Sequence, residues 1–145
     1  MSIFLSPNTT ASQLLDEAKR ARERSYAPYS ACRVGAALLT RGGVIYRGCN
    51  IENAAFSPTV CAERVAIFKA ISEGAARGDF IAIAVVGGKS AATQGHFPPC
   101  GVCRQVLREF CNPAELTVIL ENEDGSPHLL SLADLLPHSF GPDFL

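Results

Sequence analysis

Residues 80–87 read FIAIAVVG, eight positions without a charge or a hydrogen-bonding side chain. A continuous apolar run of this length is the pattern of a strand buried on both faces. Such a strand needs a layer on each side, and in a sheet flanked by crossovers those layers are helices. The flanking sequence supplies them. An N-terminal helix is predicted from Ala11 to about Arg24, with Leu14, Leu15, Ala18 and Ala21 forming an apolar stripe at helical spacing. RVGAALLT and VIYRGCN are strand-like runs joined at Gly42-Gly43, a tight hairpin. VCAERVAIFKAISEGAA is a helix with Gly74 near its end, and GVCRQVLREFC is another. GGKSAATQGHFPP between them is a loop, LTVILEN a second buried strand, HLLS a short strand and LADLL a final short helix. The alternation predicts an α/β layered domain around a mixed sheet of five strands.

Charged residues make up 19% of the chain and hydrophobic ones 48%, so residues 1–145 are expected to form one domain with its own core. The formal net charge of −1 gives no support for a polynucleotide partner, which would need a basic channel. KRARER, at 19–24, is expected to be a solvated helix face, because Asp16, Glu17 and Glu23 interrupt its charge. MSIFLSPNTT has neither the basic lead nor the apolar run of an export signal, and no apolar run approaches the roughly 18 residues of a membrane span. A cytoplasmic location is therefore expected. There, six cysteines point to metal or catalysis rather than to disulfides.

Three of those cysteines share a placement. Cys61, in TVCAER, and Cys100 and Cys103, in FPPCGVCRQVL, each fall at the predicted start of a helix. Residues i and i+2 of a helix lie roughly 200° apart, so Cys61 and Glu63 can meet a common object only ahead of the N-terminus. Two helix N-termini facing one spot favour thiolates there. Three converging thiolates suit Zn²⁺ and leave the fourth tetrahedral position for water, with Glu63 a carboxylate beside that water. Three thiolates and one dication sum to −1, which opposes acidification of the water. Arg64 and Arg104 are placed so that at least one can reach a sulfur. A unit charge at about 4 Å is worth roughly 4 kcal/mol at an effective dielectric of 20, or about three pKa units before screening.

Two blander readings compete. A redox role for Cys100 and Cys103 leaves Cys61 and Glu63 unexplained. A closed structural zinc site, with His96 or another cysteine as fourth ligand, would bind metal without turnover. Cys49 and Cys111 fit buried small hydrophobes. GGKS is not a phosphate loop, because Ile83 stands where that motif needs glycine.

Cys-Ala-Glu followed by Pro-Cys-x-x-Cys resembles the signature of the zinc-dependent deaminases. YAPYS, VGAALLT, GCNIENAA, VCAER, PCGVCRQVL and LLPHSFGP resemble, in order, segments of cytidine deaminases of the short, homotetrameric type. The resemblance implies a three-layer α/β/α fold, one Zn²⁺ per chain on Cys61, Cys100 and Cys103, and Glu63 as general acid/base in the deamination of cytidine or 2′-deoxycytidine. Asn50 and Glu52 match ribose ligands, and the backbones of Ala54 and Ala62 match contacts to the base. Phe140 matches an aromatic that reaches a neighbouring subunit's site. Arg64, Arg104 and Gln105 surround the metal ligands. The expected partners are a small pyrimidine nucleoside and further copies of the chain. Two positions depart from the family pattern: Cys32 stands where Phe commonly lines the pyrimidine, and Phe56 where Tyr is common. Together they imply a looser pocket.

Overall fold

In the computed structural model, which describes residues 1–145, the apolar run becomes the middle strand of a five-stranded sheet. In chain order the elements are β1 (Phe4–Ser6), β2 (Thr9–Thr10), α1 (Ala11–Arg22), β3 (Arg33–Thr40), β4 (Ile45–Cys49), α2 (Ala62–Ser72), β5 (Phe80–Gly88), α3 (Gly101–Phe110), β6 (Thr117–Glu121), β7 (Pro127–Ser131), α4 (Leu132–Leu135) and a closing 3₁₀ turn (Pro142–Phe144). The sheet order is β4-β3-β5-β6-β7. Only β5 and β6 run parallel, with α3 as their crossover; the other neighbours are antiparallel.

Side-chain alternation divides the core between two faces. Ala37 and Leu39 of β3 and Ala82, Ala84 and Val86 of β5 meet α1 through Leu14, Leu15 and Ala18. Val34, Ala36 and Leu38, with Ile83 and Val85, face Ala66, Ile67 and Ala70 of α2 and Leu107 of α3. Burying a side chain such as Leu14 or Leu15 contributes about 1.5–3 kcal/mol each. The expected three layers are therefore present: α1, the sheet, and α2 with α3.

Two glycines set how closely the layers approach. A Cβ on Gly35 would lie 2.0 Å from the Ala18 carbonyl oxygen, and one on Gly48 would lie 2.2 Å from that of Ala62. The first contact seats α1 on β3. The second seats the opening turn of α2 on β4, which makes Gly48 part of the site's foundation. The hairpin turn lies where expected, with Gly43 at φ 84°.

The structure departs from the sequence reading in two places. The β1–β2 ribbon was not expected, and Thr10 at its end caps α1: its hydroxyl accepts from Gln13 N at 3.2 Å while Gln13 Oε1 accepts from Thr10 N at 2.8 Å. Arg22, expected on a solvated face, is buried. Its guanidinium donates to the carbonyls of Arg33 at 2.9 Å, Ala91 at 3.0 Å, Gly88 at 2.9 Å and Ser90 at 2.6 Å. Burial costs it little because these carbonyls replace its water, and in return it fastens the segment after β5 to α1.

Candidate active site

Cys61 and Cys100 are the N-cap residues of α2 and α3, each with extended backbone, and Cys103 lies in the first turn of α3. Both helices cover the same sheet face, so their N-termini bring the three thiols together. The sulfurs all lie within 4.8 Å of one another, and no fourth His, Cys, Asp or Glu joins the group. The Sγ atoms of Cys61 and Cys100 are 3.8 Å apart. Tetrahedral ligation with Zn–S bonds of about 2.3 Å requires a sulfur separation of about 3.8 Å, so the donor set fits the metal by both chemistry and size. His96, the candidate fourth ligand of a closed site, sits instead against His128, their ring centroids 5.2 Å apart.

The electrostatics favour negative charge at the Cys61 sulfur. Hydrogen bonding from Cys103 first, then Arg64 and Cys100, brings the Cys61 thiol down to about 5 against the opposing effect of burial. Cys103, donating to that thiolate and buried, is pushed up. Arg64 Nη2 donates to Cys61 Sγ at 3.4 Å. Arg104 does not touch a sulfur. It donates to the carbonyls of Pro99 and Leu135, both at 2.7 Å, and so braces the turn that delivers Cys100.

Glu63, in the first turn of α2, is only 3% exposed. Its Oε2 is buried with no hydrogen-bond partner. Burial, reinforced by the neighbouring Cys61 charge, pushes its carboxyl up to about 7. A buried, unsatisfied carboxylate costs stability, about 1–3 kcal/mol or more for a charged group, and such sites commonly serve chemistry.

The remaining candidates fall into smaller groups. Asn50 is buried: its Oδ1 accepts from Val34 N at 2.8 Å and from Ser25 Oγ, and its Nδ2 donates to the Cys32 carbonyl at 2.8 Å. One amide proton of Asn50 therefore remains free for a ligand. The Glu52 carboxylate accepts from Ser30 Oγ and from the backbone N–H groups of Tyr29 and Ser30, which hold it below the usual range. Glu52 and Phe56 line an open cavity of about 400 Å³ with Tyr29, Ser30 and Thr59. Phe56 is 72% exposed at φ 56°, with its ring edge-on to Tyr29. Ala62 is the buried first residue of α2, Ala54 is exposed in the preceding turn, and Cys32 is half-buried against the core. Gln105 Nε2 donates to the Phe140 carbonyl at 3.0 Å.

Ser25, Tyr29, Ser30 and Thr59 were not singled out from sequence. The partners of Ser25, Tyr29 and Ser30, which are Asn50 and Glu52, lie more than 20 positions away, and Thr59 accepts from Asn53 N at 3.0 Å, so no local pattern announces them. YAPYS offered the one available signal, a polar, proline-bearing segment with two tyrosines.

Residues 8–119 match the family model for the cytidine and deoxycytidylate deaminase zinc-binding region. A cytidine deaminase of Sporosarcina psychrophila is 50% identical over 133 residues, covering 92% of this chain and 93% of its own. One from Halalkalibacterium halodurans is 51% identical over 127 residues, 88% of this chain and 91% of its own. The solved cytidine deaminase of Burkholderia pseudomallei superposes with a TM-score of 0.79 at 49% identity, over 88% of this chain and 96% of that one. That of Mycobacterium tuberculosis gives 0.73 at 36% identity, over 88% and 94%. With three thiols gathered within 4.8 Å and the matched region spanning both helices that carry them, the chain belongs to the cytidine and deoxycytidylate deaminase family.

Proposed function

We propose that the protein catalyses the hydrolytic deamination of cytidine and 2′-deoxycytidine to uridine and 2′-deoxyuridine, releasing ammonia, in pyrimidine salvage. The observation that carries this reading is a buried Glu63 carboxylate with its Oε2 unpartnered, two residues from Cys61 of a three-thiol donor set. Cys61, Cys100 and Cys103 would hold one Zn²⁺ per chain. When bound, zinc supplies a Lewis acid that makes water a nucleophile near neutral pH. Glu63 would take a proton from the attacking water as its oxygen adds to C4 of the base, and would deliver that proton to N3. It would then take the remaining proton from the C4 hydroxyl and pass it to the amino group as the C4–N bond breaks, which releases ammonia and leaves the C4 carbonyl.

Binding is assigned to the chain before α2. The free Asn50 amide proton and the Glu52 carboxylate engage ribose hydroxyls, while the Ala54 and Ala62 backbones contact the base. Glu52 is held ready by Ser30 and Tyr29, so little ordering remains to be done on binding. Cys32 and Phe56 enlarge the pocket and favour altered pyrimidines. Phe140 reaches the site of a neighbouring subunit in a homotetramer, located in the cytoplasm. No helix is long and apolar enough to cross a membrane.

The test is ammonia release from cytidine and deoxycytidine by zinc-loaded protein, with Glu63→Ala as control. Turnover that disappears in the control supports the reading. A zinc-replete protein inactive on both nucleosides and on a panel of altered pyrimidines would overturn it.

A further inference from the structure

Helix α3 carries two metal ligands at its start, yet its later polar side chains are directed at one distant segment. Arg108 Nε donates to Ser139 Oγ at 3.0 Å, and Arg108 Nη2 lies 2.7 Å from each carboxylate oxygen of Asp143. Gly141 rests against the same guanidinium: a Cβ there would lie 2.4 Å from Cζ and 2.6 Å from both terminal nitrogens. Residues 139–143 therefore wrap around a single arginine side chain, and that side chain is buried although Asp143 is exposed. Phe140 lies within the wrap. Its carbonyl is pinned by Gln105 and its ring stacks on Phe144, with centroids 5.5 Å apart, while 58% of the residue stays exposed.

A charge bridge intended only for stability would not need a side chain this buried to reach one exposed carboxylate, since surface ion pairs contribute about 0–1 kcal/mol. Arg108 has a more specific geometry. Its fork fixes the chain on both sides of Phe140, and Gly141 lets the backbone close over the guanidinium where a Cβ would fit only if that side chain moved. We propose that Arg108, acting with Asp143, is a positioning residue for catalysis, which sets the orientation of Phe140 so that its ring meets the substrate without an ordering cost. The inference rests on the reading of Phe140 as an aromatic close to substrate.

The test uses the zinc-loaded full chain and measures KM and kcat for cytidine in Asp143→Ala, Phe140→Ala and the double variant, with sedimentation of each. Asp143 is exposed, so its replacement leaves the core intact; Arg108→Lys, which keeps the charge but loses the fork, serves as the second probe. Asp143→Ala is expected to raise KM about three- to tenfold, the scale of one aromatic contact. Its kcat stays within about twofold of the parent, Phe140→Ala raises KM at least as much, and the double variant is no worse than Phe140→Ala alone. Arg108→Lys is expected to follow Asp143→Ala. If Phe140→Ala raises KM while Asp143→Ala does not, or if the two effects multiply, Arg108 does not act through Phe140 and the proposal is overturned. Dissociation of the assembly in Asp143→Ala without a change in KM also overturns it. A parental KM in Phe140→Ala removes the reading of Phe140 itself, and the inference falls with it.

Discussion

Arg64 reaches back one helical turn to place its Nη2 3.4 Å from the sulfur of Cys61, the residue that caps the same helix. One side chain thus brings a permanent positive charge to a donor set that would otherwise overcompensate a divalent ion. Hydrogen bonding to the Cys61 thiolate raises that guanidinium above its ordinary value, against the opposing effect of burial.

Arg64→Gln is expected to retain one zinc per chain by metal analysis and to lose about 10- to 100-fold in kcat. The figure follows from the 1.5–3 kcal/mol typical of a hydrogen bond to a charged group. Parental turnover with zinc in place would remove Arg64 from the acidity of the site.

Glu63→Gln keeps the shape of the side chain and removes its capacity to carry a proton. A fall in kcat of about 10²–10⁴-fold is expected, with zinc content unchanged. A zinc-replete variant turning over within a few-fold of the parent would eliminate Glu63 as the acid/base.

Gly35→Ala and Gly48→Ala make a matched pair on opposite sheet faces. Each forces a Cβ to within 2.0–2.2 Å of a helix carbonyl, so each should lose about 1–3 kcal/mol in urea unfolding. Only Gly48→Ala displaces the turn between Cys61 and Ala66. It should therefore lose zinc to a competing chelator at least about tenfold more readily than Gly35→Ala does. Equal zinc retention would show that the close approach at Gly48 serves stability alone.

Cys111 closes α3 and is buried, which pushes its thiol up from 9.0 to about 12. Because the folded-state value is the higher one, its contribution is fully present below pH 9.0 and is lost as the pH climbs towards about 12. Each unit of difference is worth about 1.4 kcal/mol. Urea unfolding at about pH 8 and about pH 11 should show the parent losing more stability than Cys111→Ala across that interval. Equal losses would mean that the thiol ionises in the folded protein without penalty.

The parts legible in sequence were those written in local pattern. FIAIAVVG, the α1 stripe and the Gly42-Gly43 turn each declare themselves within a dozen residues, and all three adopt the expected structure. The three-thiol group was legible for a different reason: few purposes put thiols at two helix starts with an acid two residues on. Arg22 was not, because its destinations at Gly88, Ser90 and Ala91 are 66–69 positions away, and nothing in KRARER separates it from its solvated neighbours. Arg104 illustrates the same limit, since either a sulfur or a carbonyl lay within its reach. The β1–β2 ribbon has three residues on one side and two on the other, too few for periodicity to register.

Cys61 and Cys100 are 39 positions apart in the chain although their sulfurs are neighbours. During synthesis at about 5–20 residues per second, the first ligand leaves the ribosome several seconds before the second. In that interval α1, the β3–β4 hairpin and α2 are already out, while the helix bearing Cys100 and Cys103 is not. The three-thiol group therefore stays incomplete until α3 has emerged and docked, and a chain released before then carries a single thiol where the group needs three.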